Sequence, residues 1–510
     1  MGIFAVIIAL TGFFCIAAEQ INLSAACPNF ADYARRIHRP LSRGTSGLPF
    51  QRPVELCRSF VSETVDAKVE DMKSRLRNKD IARLFENCLP NTLDTTVRWH
   101  DPDLPATFVI TGDISAMWLR DSTFQLQPYL QFLDDLKLQR LVNGAIQTQA
   151  LYIKQSRYCN AFQPPRLSGL RRSENNQEDT VFPTYDPDVV FECKYEIDSL
   201  SSFLRLSRQY FEQTEDYSMF TEDWIQAVQS VLRVVQEQSQ SSYDPVTHLW
   251  NRPHYTFKRR TDSATETLSL GGAGYPVNAN TSLVRSAFRP SDDSTILQFF
   301  IPGNAMLSTE LAHLSKLLEV AHSKGVEGAR SWANLCTVLA RSIREAIYKH
   351  GTFEHPEFGL VFAYEVDGYG GRIFMDDANM PSLLALPLIG FLSQEDRVYQ
   401  NTRKMVLSTM SNPYFLKGSS IQAIGSPHTP TKNVWPMSLL VQIMTSNDKT
   451  EIASCLEAVV SSTADLGLMH ESVNAWRTTD YTRPWFAWAN ALFATTILDL
   501  EKRFPELLFN

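Results

Sequence analysis

In the middle of the chain, apolar residues recur at alternating steps of three and four, the spacing that gathers them on one face of a helix. Leu307, Leu311, Leu314, Leu318 and Ala321 form one such stripe, ended by Gly325. Leu335, Leu339, Ile343 and Ile347 form a second, ended by Gly351. The short connection between them predicts an antiparallel pair. Ile197, Leu200, Leu204 and Phe211 mark another helix, and Trp224, Val228, Val231 and Val235 answer it, with Thr221 as N-cap. A last helix is predicted from Pro484, a residue suited to a first helical turn, to about Arg503. Strands do not alternate with helices, which argues against a parallel sheet. Helix pairs repeated along most of the chain, without a repeat of sequence, predict an all-α fold: a closed array of hairpins.

Between the helices lie long polar stretches, Arg157 to Tyr195, Tyr255 to Ser294 and Phe353 to Asp377. Loops of that length tend to be functional. No linker divides the remainder, so residues 54–510 are expected to form one domain. Residues 19–53 are rich in Pro, Ser and Arg and lack periodicity, which suggests a leader or surface wrap. Ile3 to Ala18 is apolar and ends in Cys15-Ile16-Ala17-Ala18. This is expected to be a secretory signal within residues 1–18, and the protein to be secreted. An uncleaved membrane anchor is the alternative, although the run is short for a span of about 20 residues. After cleavage no stable membrane association is expected.

Composition narrows the partners. The chain of 510 residues is 44% hydrophobic and 20% charged, enough for a sizeable core. A net charge of -8 argues against nucleic acid, which needs a basic face. Beyond Cys15 the cysteines are Cys27, Cys57, Cys88, Cys159, Cys193, Cys336 and Cys455, an odd number that allows some disulfides and leaves at least one thiol. Cys336 falls on an apolar helical stripe and should be buried as a small hydrophobe. Sequons stand at Asn22 and Asn280.

Three constellations mix carboxylates with Arg, His or aromatic residues: Trp118-Leu119-Arg120-Asp121, Tyr195-Glu196-Ile197-Asp198, and His470-Glu471 followed by Arg483, Trp485 and Trp488. Carboxylates and Arg hold hydroxyl groups, and Trp covers the apolar face of a sugar ring. Each also has a plain structural reading. Asp198 could cap a helix, Arg120 and Asp121 could be a surface ion pair, and Glu471 could make an ordinary loop hydrogen bond. The tryptophans could be core. Scattered histidines without His-x-His, HExxH or Cys-x-x-Cys offer no metal set. No GxSxG occurs, and Gly271-Gly272 and Gly368 to Gly371 are not followed by Lys-Ser/Thr, so they predict turns and not phosphate cradles. Paired carboxylates with aromatics remain, and no cofactor is expected.

Six strings then resemble glycoside hydrolase family 125, in that family's order: Gly112 to Thr123, Lys194 to Ser199, Met375 to Leu384, Ile424 to Thr429, Met469 to Ser472 and Tyr481 to Asn490. The resemblance implies an (α/α)6 barrel and a metal-independent exo-α-1,6-mannosidase that inverts anomeric configuration. Its substrates would be α-1,6-linked mannosides within N-glycan or mannan oligosaccharides. It places the general acid at Asp198 and the general base at Glu471. Inversion asks for carboxyls about 6.5–9.5 Å apart, with a water between base and anomeric carbon. An acid at a helix N-terminus must be buried or crowded by other acids to keep its proton. Arg120 and Asp121 are expected to grip the terminal sugar, with Trp118, Asp376, Asp377, Asn379, His428, His470, Arg483 and Trp485 as further pocket candidates. Alternatives are an inverting α-glucosidase of glucoamylase or trehalase type, and an inactive glycan binder on the same scaffold.

Overall fold

The computed structural model describes residues 27–509. The apolar segment 3–18, Cys15 and the sequon at Asn22 lie outside them. Among the described residues, twelve helices have eight or more residues: α1 Glu63–Arg75, α2 Lys79–Cys88, α3 Leu119–Leu126, α4 Leu136–Gln155, α5 Ile197–Thr214, α6 Glu222–Gln238, α7 Ile301–Ser323, α8 Ala329–His350, α9 Arg397–Val406, α10 Pro436–Met444, α11 Lys449–Ser461 and α12 Ala487–Arg503.

They form an inner and an outer layer. In the inner ring α3 packs on α5, α5 on α7, α10 on α12, and α12 back on α3. The remaining inner place, between α7 and α10, is taken by a run of turns over residues 381–391. Pro381 and Pro387 break helix formation there, since Pro lacks an N–H and clashes with the preceding turn. This run is tied to α5 by Arg205 Nη2 on Leu388 O at 3.2 Å, and the Gln394 side chain beyond it donates to Met444 O of α10 at 3.1 Å. The outer layer is α4, α6, α8, α9 and α11, with the α1–α2 pair behind α12. The architecture is an (α/α)6 fold, as expected from the helix pairs.

Burial explains the two layers. Every residue of α3 and nearly every residue of α10 is buried, so these helices suit the centre. The outer helices α6, α8, α9 and α11 bury one stripe each, while α4 is buried all round from Leu141 to Ala150. Leu311 and Leu318 at the α7–α8 contact are fully buried, and truncating either to Ala would cost roughly 2–5 kcal/mol. Cys336 is buried there as expected.

The layers also start differently. Outer helices other than α8, which follows Gly328, begin with side-chain caps: Ser62, Asn78, Asp135, Thr221, Asp396 and Asp448 each accept from the first turn of their helix. The inner helices α3, α5, α7, α10 and α12 have no side-chain cap. They are preceded by extended residues, Trp118, Glu196, Phe300, Trp435 and Phe486, carried in from short strands and loops. Their first turns are thereby left for other partners.

The last helix begins at Ala487 and not at Pro484. Residues 483–486 run extended against 469–472 instead, with Phe486 N on Met469 O at 2.9 Å. Long-range pairing here overrides the local signal of the proline. The stretches read as loops contain short antiparallel strands, in sheets of two or three. Disulfides join Cys27 to Cys57 and Cys159 to Cys193, and Cys88, Cys336 and Cys455 are buried thiols. Asn280 is exposed.

Candidate active site

Three inner-helix starts meet in one pocket. Trp118, Arg120 and Asp121 come from α3, Trp435 from the start of α10, and Phe486 and Trp488 from α12. Loops supply Thr111, Ile114, Pro290 to Asp292, Asn379, His428, Glu471 and Arg483. Charged donors and acceptors thus face a set of indole and phenyl rings, as a pyranose requires.

Glu471 is held from both sides. Thr482 Oγ1 donates to its Oε2 at 2.8 Å, and Arg483 Nε lies 3.0 Å from its Oε1. The extended path of residues 483–486 puts Arg483 in that place. Arg483 Nη1 reaches on to Asp113 Oδ1 at 2.5 Å. His470 lies behind the site and not on its wall. Its ring nitrogens face Arg483 O at 2.7 Å and Thr463 O at 3.0 Å, and its ring stacks on Tyr481. Burial pushes its pKa down to about 4 against the backbone carbonyls, which raise it, and the ring positions the Glu471 segment through these contacts and its packing on Tyr481.

Arg120 is the hub of the inner end. Its Nη1 lies 2.5 Å from Glu196 Oε2 and 3.2 Å from Asp198 Oδ2. Its Nη2 lies 3.4 Å from Asp121 Oδ2 and 3.5 Å from Asp292 Oδ1. The guanidinium sits 5.6 Å over the Trp488 ring. One cation therefore serves four carboxyls. Arg120 and Asp121 are both buried, and burial is the largest influence that raises Asp121 to about 6, against the pull of Arg120.

The expectation for Asp198 is met in one respect and fails in the other. Burial raises its pKa to about 6 against the opposing pull of Arg120, so it can hold a proton. Yet it is 0% exposed, stands behind Arg120 and does not line the pocket. A general acid must come within hydrogen-bond reach of the leaving oxygen. Of the four carboxyls around Arg120, Asp121 and Asp292 line the pocket, and Asp292 is the more exposed, at 22% against 7%. Asp292 sits in a tight turn with φ 67°, closed by Arg289 N on Asp293 O at 2.8 Å. The loop is pinned by Glu365, which takes Arg289 Nε on one oxygen and Ile296 N and Leu297 N on the other. Sequence reasoning missed this residue. The available signal was two adjacent acids, Asp292-Asp293, next to Pro290 inside a long polar loop.

Asn160 Nδ2 stands between the two carboxyls, 3.3 Å from Glu196 Oε1 and 3.2 Å from Asp292 Oδ1. Burial pushes Glu196 well above the usual range. For Asp292 burial is outweighed by Arg120 and Lys194, which draw it below that range. Of the two, Glu196 is the one whose surroundings favour the protonated form.

Other candidates separate clearly. Asn379 lines the pocket, and Asp377 positions it by accepting from Asn379 N at 3.0 Å and Nδ2 at 2.9 Å. Asp377 itself is sealed behind, with Ser426 on its other oxygen. Asp376 is not a pocket residue. It accepts from Leu383 N at 2.8 Å and Leu384 N at 2.9 Å, and so holds the turn run that replaces an inner helix. His428 lines the pocket with Nδ1 3.5 Å from Asp293 Oδ2. Burial alone would lower its pKa, but Asp293 lifts it to about 9. Trp485 is buried on the far side of the loop 110–115 and faces a neighbouring cavity.

Residues 78–498 match the family described as metal-independent alpha-mannosidase (GH125). The chain is 55% identical, over 496 residues and 96% of both chains, to the meiotically up-regulated gene 157 protein of Schizosaccharomyces pombe. It is also similar to a solved structure of a Streptococcus pneumoniae metal-independent α-mannosidase in a non-productive complex with α-1,6-mannobiose. That similarity has TM-score 0.78 and 32% identity, and covers 86% of this chain and 99% of the other.

Proposed function

The chain belongs to the metal-independent α-mannosidase family GH125, and from that premise we propose that it removes single mannose units from the non-reducing ends of α-1,6-linked mannosides with inversion. The observation that carries this reading is a pocket with Glu471 on one wall, Asp292 on another, and an inner end closed by Arg120 and Trp488. A closed end suits exo-action. The terminal sugar can be gripped there, and its binding energy used to distort the ring toward the oxocarbenium-like transition state.

In this mechanism Glu471 takes a proton from a water that attacks the anomeric carbon. Thr482 and Arg483 fix the direction of its lone pairs. Asp292 gives a proton to the departing glycosidic oxygen as the bond to the anomeric carbon breaks. Asp292 first takes that proton from its neighbour Glu196, which leaves Glu196 ionised beside Arg120 and gives Asp292 the proton it delivers. Release of the proton on Glu471 to solvent and uptake of one by the Glu196–Asp292 pair restore the start. Asp198 and Asp121 set the field around Arg120 and are positioning residues. The α-1,6-mannobiose of the pneumococcal structure supports the choice of linkage. The two disulfides support passage through an oxidising secretory compartment, and exposed Asn280 would be open to glycosylation there.

Proton NMR of the first sugar released from α-1,6-mannobiose tests substrate, activity and stereochemistry together. β-Mannose as the initial product is expected. Initial α-mannose would remove inversion, and turnover of α-glucosides in place of mannosides would remove the substrate reading.

A further inference from the structure

We propose that a second cavity beside the catalytic pocket, built by the N-terminal segment, is a saccharide subsite for the leaving-group side of the substrate. This rests on the mannosidase reading above and extends it to chain length.

The cavity has a volume of about 450 Å³ and is walled by Phe30, Arg98, Asp113 and Trp485 among others. It shares the loop 110–115 with the catalytic pocket. Thr111 and Ile114 face the pocket, while Ile110, Gly112, Asp113 and Ser115 face the cavity. Gly112, at φ 143°, lets this loop lie on Trp485, because a Cβ there would stand 3.1 Å from the indole. The boundary is crossed by a single ion pair: Asp113 lines the cavity, its partner Arg483 lines the pocket, and Arg483 also touches Glu471. The pocket is closed at Arg120 and Trp488, so the rest of a glycan has to leave by another side. The Asp113–Arg483 pair joins the lining of the cavity to that of the pocket.

Its lining fits a neutral, hydroxyl-rich chain. Half-buried Phe30 presents apolar surface and is held edge to face on the buried Trp485, with ring centroids 4.9 Å apart. Arg98 is exposed, and its guanidinium makes no ion pair or hydrogen bond among the described residues, so its donors are free for hydroxyls. The wall is fixed in place. Cys27–Cys57 closes the segment on itself, Arg52 grips Asp94 at 2.8 Å and Asp66 at 2.7 Å, and Gln51 donates to Leu466 O at 2.8 Å. The segment precedes residue 78, where the family match begins.

The test compares Arg98→Ala with the unaltered protein on an aryl α-mannoside, which has no leaving-side sugar, and on α-1,6-mannotetraose. The unaltered protein should show higher kcat/KM on the tetrasaccharide than on α-1,6-mannobiose. Arg98→Ala should lose roughly tenfold on the tetrasaccharide, the worth of one charge-assisted hydrogen bond, and turn over the aryl mannoside at the same rate. Equal loss on both substrates, or no loss on either, would overturn the proposal. Affinity for mannotetraose is measured in parallel in Glu471→Gln with and without Arg98→Ala. If no mannoside is hydrolysed by the unaltered protein, the function reading falls, and the binding pair still decides the subsite: equal affinities overturn it.

Discussion

Replacing Asp292 and Asp198 in turn by Asn separates the acid from its neighbours. Asn tolerates the left-handed backbone at position 292, so the turn should persist. Loss of a general acid costs on the order of 10²–10⁴ in rate, or about 3–5.5 kcal/mol of transition-state stabilisation. That penalty depends on the leaving group. An alcohol leaves only with a proton, whereas a dinitrophenolate leaves without one. Asp292→Asn should therefore be nearly inactive on α-1,6-mannobiose and within about tenfold of normal on dinitrophenyl α-mannoside. Asp198→Asn alters a buried contact 3.2 Å from Arg120 Nη1, while Glu196, Asp121 and Asp292 still face that cation. Its cost should be roughly 1–3 kcal/mol of stability, below that of a fully unpaired buried charge, with any rate loss equal on both substrates. The assay is kcat/KM on the two substrates with a urea titration of each variant. A loss confined to mannobiose in Asp198→Asn, with Asp292→Asn impaired equally on both, would refute the assignment.

Three further outcomes are expected. Burial would lower the pKa of His428, but Asp293 lifts it to about 9; the resulting stability is full below pH about 6.5 and is lost as pH rises to about 9. The gap in thermal midpoint between the unaltered protein and His428→Gln should thus shrink from pH 6 to pH 9, and a widening gap would contradict the ion pair. Asp376→Ala removes the acceptor for Leu383 N and Leu384 N and should destabilise by on the order of 2–3 kcal/mol in urea, with kcat/KM of the folded protein unchanged. Prolonged chelator treatment should leave mannoside hydrolysis unaltered, and activity lost and then restored by Ca²⁺ or Zn²⁺ would point to different chemistry.

The helix pairs were legible because burial of one stripe is a local, periodic demand. Thr221 is the cap of α6, accepting from Trp224 N at 3.1 Å, and Gly325 and Gly351 stand just beyond α7 and α8. The start of α12 was not legible, because what holds residues 483–486 extended is a strand of the chain at 469–472. Glu471, Arg120, Asp121 and Arg483 could be picked out by their mixture of charge and aromatic rings. Asp376 and Asp377 have the same local look, and only the fold shows that their oxygens are turned to backbone and Asn379 donors. The reverse holds for Asp292, whose exposure to the pocket depends on one residue with positive φ in a loop.

The site also resolves how a carboxyl at a helix start can keep a proton. The uncapped first turns of α3 and α5 favour anions, and they carry Asp121 and Asp198. Taken alone, that field would leave both ionised. Both are raised to about 6, with burial the largest cause, and Arg120 has to be shared among four carboxyls. More acids than cations in a sealed space forces protons onto some of them. The fully buried Glu196 is pushed well toward the protonated form, while Asp121 and the more exposed Asp292 are the members of the group that line the pocket. Proton supply is thus a property of the cluster and its burial, and the residue that delivers the proton is selected by access.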